Sequence, residues 1–256
     1  MSKADWHFDK KPDTEITWKE EERDTTAPYI PIQCIEVKGD ASPKEISVDV
    51  VIEKMYEVFL NGNFISSFLA SPRQLKEMAA GHLICEGHIE NIDQIISIVI
   101  DKNKLFCKTK PSSLDKTTPN PEMKVKSSTL FDLIDYIFEK GKIWRRTGGA
   151  HSTVIATSKG EILTFCEDVS RASAVDKAIG KAAMGGVELD NCIMATSGRL
   201  SVTMVGKGVN ARIPLMVSKA APMDKGIRLA RQNNMTLVGF ARRPNLYIYS
   251  NPERLI

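Results

Sequence analysis

From residue 151 to residue 249, short apolar runs alternate with stretches of helical spacing, and no other feature of the chain constrains its fold as tightly. HSTVIAT (151–157), EILTFC (161–166), CIMAT (192–196), IPLMVS (213–218), MTLVGFA (235–241) and NLYIY (245–249) read as strands. About 169–184, 199–207 and 222–233 read as helices. Strands of this length joined by helical crossovers form an α/β layered sheet. The spacing therefore predicts an α/β domain over residues 141–256.

The first part of the chain reads differently. Residues 1–28 are charged and poor in branched apolar side chains, which predicts a mobile arm. Residues 29–140 read as a smaller α+β part, with a break near 140. Ile46–Val50 alternates apolar and polar residues, and Val58–Leu60 and Phe64–Ile65 flank Asn61-Gly62-Asn63, a hairpin signal. Ser71 with Pro72 behind it is expected to cap a helix carrying Leu75, Met78, Ala79 and Leu83, ended by Gly87. Ile95–Ile100 and Leu105–Cys107 suggest a second hairpin. Residues 108–127 hold three prolines and almost no apolar anchor, which predicts a flexible loop. A helix is expected from Ser128, with Leu130, Leu133, Ile134, Ile137 and Phe138 on one face, stopped by Gly141.

A composition 42% hydrophobic and 26% charged is that of a soluble globular protein. No apolar run approaches the roughly 20 residues of a membrane helix, and MSKADWHFDKK lacks the apolar stretch of a secretory signal. Five scattered cysteines, Cys34, Cys85, Cys107, Cys166 and Cys192, form no disulfide framework and no C-x-x-C, so a reducing cytoplasm fits. Residues 141–256 carry 17 basic and 8 acidic residues, a net +9, whereas residues 1–140 are net −6. A basic C-terminal half suits an anionic ligand or acidic partner. Its charges are spread out rather than clustered with aromatics, which favours a phosphorylated small molecule over nucleic acid.

Binding crevices in open α/β sheets lie beyond the carboxyl ends of the strands, where helix N-termini offer free N–H groups to anions. Three motifs fall at such places: Glu167-Asp168-Val169-Ser170-Arg171, Thr196-Ser197-Gly198-Arg199 and Ala221-Pro222-Met223. Arg171 and Arg199 are expected in first helical turns, where an anion between them would relieve an unfavourable dipole. The alternative is that Ser197 is an N-cap and both arginines are solvated. Thr147, Gly148 and Gly149 read as an ordinary turn or as a close backbone approach to a ligand. His151 reads as structural or catalytic. Glu167 and Asp168 could bind a ribose or amino group, or could favour the helix that follows; Asp176-Lys177 reads as structural charge. Phe240-Ala241-Arg242-Arg243-Pro244-Asn245 joins two expected strands and offers two guanidinium donors on a turn stiffened by proline. A zinc deaminase is excluded because H-x-E and P-C-x-x-C are absent, and no P-loop, G-x-G-x-x-G or G-x-S-x-G occurs.

From about Val58 onward the chain resembles the formate dehydrogenase accessory sulfur carriers, the FdhD family. The resemblance rests on VFLNGNFISSFLASPRQLKEMAAGHLICEGHI, TGGAHST, EDVSRASAVDKAIG, ATSGRLSVTMV, SKAAPMDKGIRLA and TLVGFARRPNLYIYSNPERL. It implies a deaminase-like three-layer α/β domain beside a smaller α+β part. It also implies transfer of sulfur from a cysteine desulfurase to the molybdenum bis-guanine-dinucleotide cofactor of formate dehydrogenase. GDP would be a partial mimic of that cofactor, zinc would have no role, and the protein would be a homodimer. The resemblance places the cofactor at Phe240–Asn245 as well as at the glycine, histidine and arginine motifs above.

Two departures qualify this. Family members usually carry a C-x-x-C pair in the loop before TGG, one cysteine of which bears the persulfide, and residues 108–127 contain no cysteine. A persulfide needs a thiolate nucleophile, so the sulfurtransferase-like step is open. Ser170, Ala172 and Ser173 also stand where the family motif has Gly, His and Asn. The alternative reading is a guanine-nucleotide or molybdopterin binding module that has lost sulfur transfer.

Overall fold

The computed structural model describes residues 27–111 and 122–256. Nearly all of the expected arm and the middle of the expected loop lie outside the described residues.

The chain opens with a two-stranded ribbon, β1 (Tyr29–Glu36) antiparallel to β2 (Lys44–Val51). β3 (Lys54–Leu60) and β4 (Asn63–Ala70) form the expected hairpin. Its two-residue turn holds Asn61 and Gly62 at φ 49° and 88°, as Asn-Gly chemistry permits. The helix α1 (Leu75–Cys85) follows, then β5 (Ile95–Asp101) and β6 (Lys104–Thr109), the second expected hairpin. β6 also pairs parallel with β3, giving a four-stranded sheet of order β4-β3-β6-β5.

The start of α1 differs from expectation. The helix begins at Leu75 after Gln74 in the left-handed region, without a side-chain cap, and Ser71 lies outside it. Ser71 is engaged elsewhere. Its N–H donates to Asp168 (3.0 Å), its hydroxyl accepts from the Val169 N–H (3.1 Å), and its carbonyl accepts from Lys177 Nζ (3.0 Å).

The second half contains α2 (Ser127–Lys140), a short α3 (Lys142–Thr147), β7 (His151–Thr157), β8 (Ile162–Asp168) and α4 (Arg171–Met184). β9 (Cys192–Thr196), α5 (Val202–Asn210), β10 (Leu215–Ser218), α6 (Asp224–Gln232), β11 (Thr236–Arg242) and β12 (Asn245–Ser250) complete it. The sheet order is β12-β11-β10-β9-β7-β8, with β9, β10 and β11 parallel and the other three strands antiparallel to their neighbours. The helices α4 and α5 bury apolar side chains on one face against Ile155, Met194, Met216 and Leu237. The opposite face takes α2, whose Leu130, Leu133, Ile134 and Ile137 pack on Val154, Ile193, Leu215 and Val238. The three-layer α/β arrangement is thus present. α2 precedes the expected break at 140, yet its apolar stripe belongs to the six-stranded sheet. Met123 and Val125 are buried in the same core. They are anchors within the segment that was expected to be a loop.

The two sheets are joined through helix packing. One face of the four-stranded sheet, through Tyr56, Val58, Leu105 and Cys107, shares a core with α1 and α4. At the crossing of these helices Gly81 and Gly180 let backbone meet backbone. A Cβ on Gly81 would stand 1.8 Å from the Asp176 carbonyl oxygen, and one on Gly180 1.8 Å from that of Glu77.

Charge is buried beside this crossing. Lys177 and Asp168 are both fully enclosed and pair at 2.5 Å. Lys207 donates to Asp176 (2.8 Å) and Glu86 (2.7 Å), and His82 bridges Asp176 (3.3 Å) and Ser66 (2.7 Å). Burial alone would push the Asp176 carboxyl up, but Lys207 and His82 outweigh it and hold the group below the usual carboxylate range.

Candidate functional site

The carboxyl ends of β9, β10 and β11, the start of β7 and the end of β8 share one sheet edge. The loops leaving these strands are bonded together. The Ser197 N–H donates to the Ser152 carbonyl (3.0 Å) and the Ser218 hydroxyl to the Gly198 carbonyl (2.7 Å). The Leu200 N–H donates to the Ala221 carbonyl (3.0 Å) and the Phe240 N–H to the Ala220 carbonyl (3.2 Å). The motifs beginning at Thr147, Glu167, Thr196, Ala221 and Phe240, separated by up to about ninety residues, therefore meet on this edge.

A cleft of about 330 Å³ opens there, lined among others by Phe138, Trp144, Gly148, His151, Val169 and Ser197. That volume lies within the range of small-molecule sites, about 300–1,000 Å³. His151 places Nδ1 3.1 Å from the Ser197 hydroxyl, which also accepts from the Ser152 N–H (3.1 Å). Ser197 therefore orients the imidazole instead of capping a helix. The cap of α5 is Ser201, accepting from the Met204 N–H, and that helix begins at Val202. Arg199 accordingly sits in the loop before the helix, exposed, and not in its first turn. Arg171 does begin α4, whose cap is Ser170 accepting from Ser173. Its side chain lies on Gly198, where a Cβ would come within 2.9 Å of the Arg171 Cβ.

Burial pushes the His151 imidazole below its ordinary pKa, and Arg171 and Arg199 push it further the same way. The folded protein thus binds this proton less readily than the unfolded chain. Stability is lost as pH falls through the ordinary histidine range, and His151 is neutral at pH 7. NMR titration should give a midpoint below that of a free histidine. A polyanion seated between the two arginines should raise it. A wild-type midpoint at or above the free value would refute this account of the site's field.

Several expected ligand contacts are instead internal. The Glu167 carboxylate accepts from the Ile143 and Trp144 N–H groups (3.1 and 3.0 Å) and so caps α3. The Asp168 carboxylate is filled by Lys177, Ser71 N–H and Ser170 N–H (2.5, 3.0 and 2.8 Å). It supports the site from behind. The Thr147 hydroxyl bonds the Ile143 carbonyl and the Gly149 N–H, closing the end of α3. Gly148, at φ 70°, ends that helix and faces the cleft. Gly149 admits Val51 of β2, since a Cβ would meet its side chain at 2.6 Å. The Thr196 hydroxyl holds the Gly198 N–H (3.3 Å).

The Phe240–Asn245 turn frames a second cavity of about 520 Å³, lined by Phe240, Arg242, Arg243, Asn245, Tyr247 and Tyr249. Arg242 is exposed and has no ion-pair partner among the described residues. Arg243 is already committed: it pairs with Asp132 and Asp135 of α2 and lies over the Phe131 ring at 5.2 Å. Ala241 is buried in the core beneath α2, whereas Pro244 and Asn245 are exposed.

Sequence reasoning missed the aromatic wall. Phe138 and Trp144 meet edge to face at 5.5 Å, and Lys219 places Nζ 4.1 Å from the centre of the Phe138 ring. Lys219 directly follows β10, a position at the carboxyl edge of a parallel sheet that could have singled it out. Nothing in the pattern around Trp144 announced α3, whose cap comes from Glu167, over twenty residues away.

Four of the five cysteines are buried, and none lines the cleft. Burial pushes the thiols of Cys107, Cys166 and Cys192 up to about 11, and that of Cys85 well above its ordinary value. Such thiols hold almost no thiolate at neutral pH. No group of three or more His, Cys, Asp or Glu side chains suited to a metal ion occurs among the described residues. No helix among them is long and apolar enough to cross a membrane.

Fold and site define a class: an α/β protein with a basic, partly aromatic crevice at the carboxyl edge of its sheet. The model of the FdhD/NarQ family matches residues 51–118 and 106–256, and the chain belongs to that family. It is 35% identical over 204 residues to "Protein FdhD" of Methanocaldococcus jannaschii, covering 79% of this chain and 88% of that one. It is 31% identical over 238 residues to "Sulfur carrier protein FdhD" of Methanothermobacter thermautotrophicus, covering 85% and 95%. A crystal structure from Desulfotalea psychrophila, described as a candidate formate dehydrogenase accessory protein, superposes with a TM-score of 0.79. It is 24% identical, covering 90% of this chain and all of the other.

Proposed function

We propose that the protein is an accessory factor in formate dehydrogenase maturation that holds the guanine-dinucleotide end of the molybdenum cofactor at this sheet edge. The observation that carries this reading is the convergence of Arg171, Arg199 and Lys219 on an edge whose cleft is walled by Phe138 and Trp144. Cations beside an aromatic wall suit a phosphorylated planar ring. Arg171, Arg199 and the N-terminus of α4 would hold phosphate, with Phe138 and Trp144 beside a ring and Arg242 at the second cavity. The cofactor supplies a molybdenum centre able to accept sulfur. The chain's own residues bind and orient it, and neutral His151 can donate one hydrogen bond beside the arginines.

Calorimetry with GDP should show binding, and Arg199→Ala should weaken it roughly tenfold or more, the worth of a charge-assisted hydrogen bond of about 1.5–3 kcal/mol. Absence of heat and of any thermal shift at millimolar GDP would overturn the reading.

In the fuller form of this proposal, the protein also passes sulfur from a cysteine desulfurase to the bound cofactor. The second reading, a binding module without sulfur transfer, is favoured by one observation: residues 108–127 lack cysteine, and four of the five thiols are buried. Incubation with a desulfurase and cysteine, followed by mass spectrometry, separates the two. A persulfide on Cys34 or Cys107 supports transfer, and an unmodified chain that still binds GDP supports the module.

A further inference from the structure

Among the described residues, no side chain of the β1–β2 ribbon joins either hydrophobic core. A two-stranded ribbon is marginally stable by itself. Its main packing partner among the described elements is α3, the short helix that carries Trp144. One face of the ribbon makes this contact. Tyr29 pairs with Val51 across the strands, and Asp49 lies two residues before Val51 on the same side. All three are half-buried, whereas Val48 and Val50 on the other side are exposed. Asp49 accepts from Arg146 Nε at 2.5 Å, the Arg146 guanidinium lies over the Tyr29 ring at 4.5 Å, and Val51 lies against Gly149.

α3 in turn depends on its neighbours. A helix of under two turns has little stability of its own, and Ile143 is its one buried residue. Gly141 at its start has no side chain to cap it, so Glu167 holds its first N–H groups. Residues two apart on a helix project about 200° apart, so Trp144 and Arg146 leave opposite faces. Trp144 lines the cleft, while Arg146 turns to the ribbon and does not line it. α3 therefore stands between the crevice and the ribbon.

We propose that the ribbon is a brace for the crevice wall, and that Tyr29, Asp49 and Val51 are positioning residues. They hold α3 so that Trp144 and the Gly148–Gly149 backbone are in place before the cofactor arrives, without touching it. A wall ordered in advance need not be ordered at the moment of binding. An exposed ion pair alone is weak. Here it is one of three contacts in a row on an element with few other ties, so its loss shows as a misplaced wall rather than as unfolding. The inference rests on the cofactor reading for its ligand.

Calorimetry with GDP compares wild type with Asp49→Ala. The variant should bind about three- to fivefold more weakly, the worth of an exposed ion pair. The sign carries the test. Asp49→Ala removes a negative charge near an anion site, and the electrostatic field alone would then strengthen binding. Asp49→Glu, which keeps the carboxylate, should recover most of the affinity. Tyr29→Leu, which takes the ring from the guanidinium without changing charge, should weaken binding in the same direction. Thermal midpoints should stay close to wild type, since the ribbon joins neither core. A second readout needs no ligand. In protein labelled with fluorotryptophan, the fluorine NMR resonance of Trp144, assigned by its loss in Trp144→Phe, should shift or broaden in Asp49→Ala and return in Asp49→Glu. GDP affinity equal to or tighter than wild type in Asp49→Ala overturns the proposal, and so does a Trp144 resonance unchanged by that substitution. If the wild type binds no GDP, the cofactor reading falls alone, and the fluorine resonance decides the brace.

Discussion

Lys177→Met is expected to destabilise the protein by about 3–5 kcal/mol, because it leaves a fully buried carboxylate without its counter-charge. The substitution keeps the volume and the helix propensity of α4, so electrostatics dominates the loss. The effect should also reach the site. Lys177 draws Ser71, the residue directly after β4, and Asp168 of the EDVSR turn into one cluster, and Val169 of that turn lines the cleft. Adding Asp168→Leu should recover only part of the stability. It removes the unpaired charge, but it strands the Ser71 and Ser170 N–H groups that Asp168 satisfies. Urea unfolding of the single and double variants measures both quantities. A single variant within about 1 kcal/mol of wild type would show that the buried pair is not charged.

Gly180→Ala is expected to be the second most damaging change, and its sign is the informative part. In an isolated helix the substitution stabilises by about 1 kcal/mol. Here the new methyl would stand 1.8 Å from the Glu77 carbonyl oxygen and 2.6 Å from the Gly81 nitrogen, both backbone atoms that no rotamer change can move. α1 and α4 must separate, opening the core that joins the two sheets. A net loss of at least about 2 kcal/mol follows, at or beyond the upper part of the range for overpacked cores. Thermal denaturation tests it directly: a midpoint equal to or above wild type would mean that the helices do not cross as closely as described.

Much of the fold was legible because it rests on local periodicity. The strands of the second half and its three crossover helices carry their own signals: five- to seven-residue apolar runs and helical spacing; the cap of α4, Ser170, became visible only in the structure. The Asn61-Gly62 turn is legible for the same reason, since its chemistry and its backbone angles are one fact. Ser71 was misread because a cap signal is only an offer of hydrogen bonds. Here Asp168, Val169 and Lys177 accepted that offer from nearly a hundred residues away. Arg199 was misread by three residues, enough to move it from a helix into a loop, because Ser197 and Ser201 offer equivalent local caps and the pairing of Ser197 with His151 and Ser152 is tertiary.

The candidate site divides along the same line. Arg171, Arg199 and His151 were visible as polar residues at the ends of strands and helices. Sequence could not distinguish acidic residues that face a ligand from those that hold the frame, so both roles stayed open for Glu167 and Asp168 until their internal bonds were seen. Arg243 likewise looked available until α2 brought Asp132 and Asp135 to it.

By itself the sequence determined the α/β layering of residues 151–249, the two hairpins of the first half, the basic charge of the second half and the absence of a cysteine pair in residues 108–127. These depend on residue type and short spacing, which a linear chain states openly. Tertiary structure alone decided which charges are spent on one another, where α2 belongs, and that Phe138, Trp144 and Lys219 wall the crevice. Those depend on which distant segments come within a few ångströms, and that proximity is created only when the two sheets close on the glycine crossing of α1 and α4.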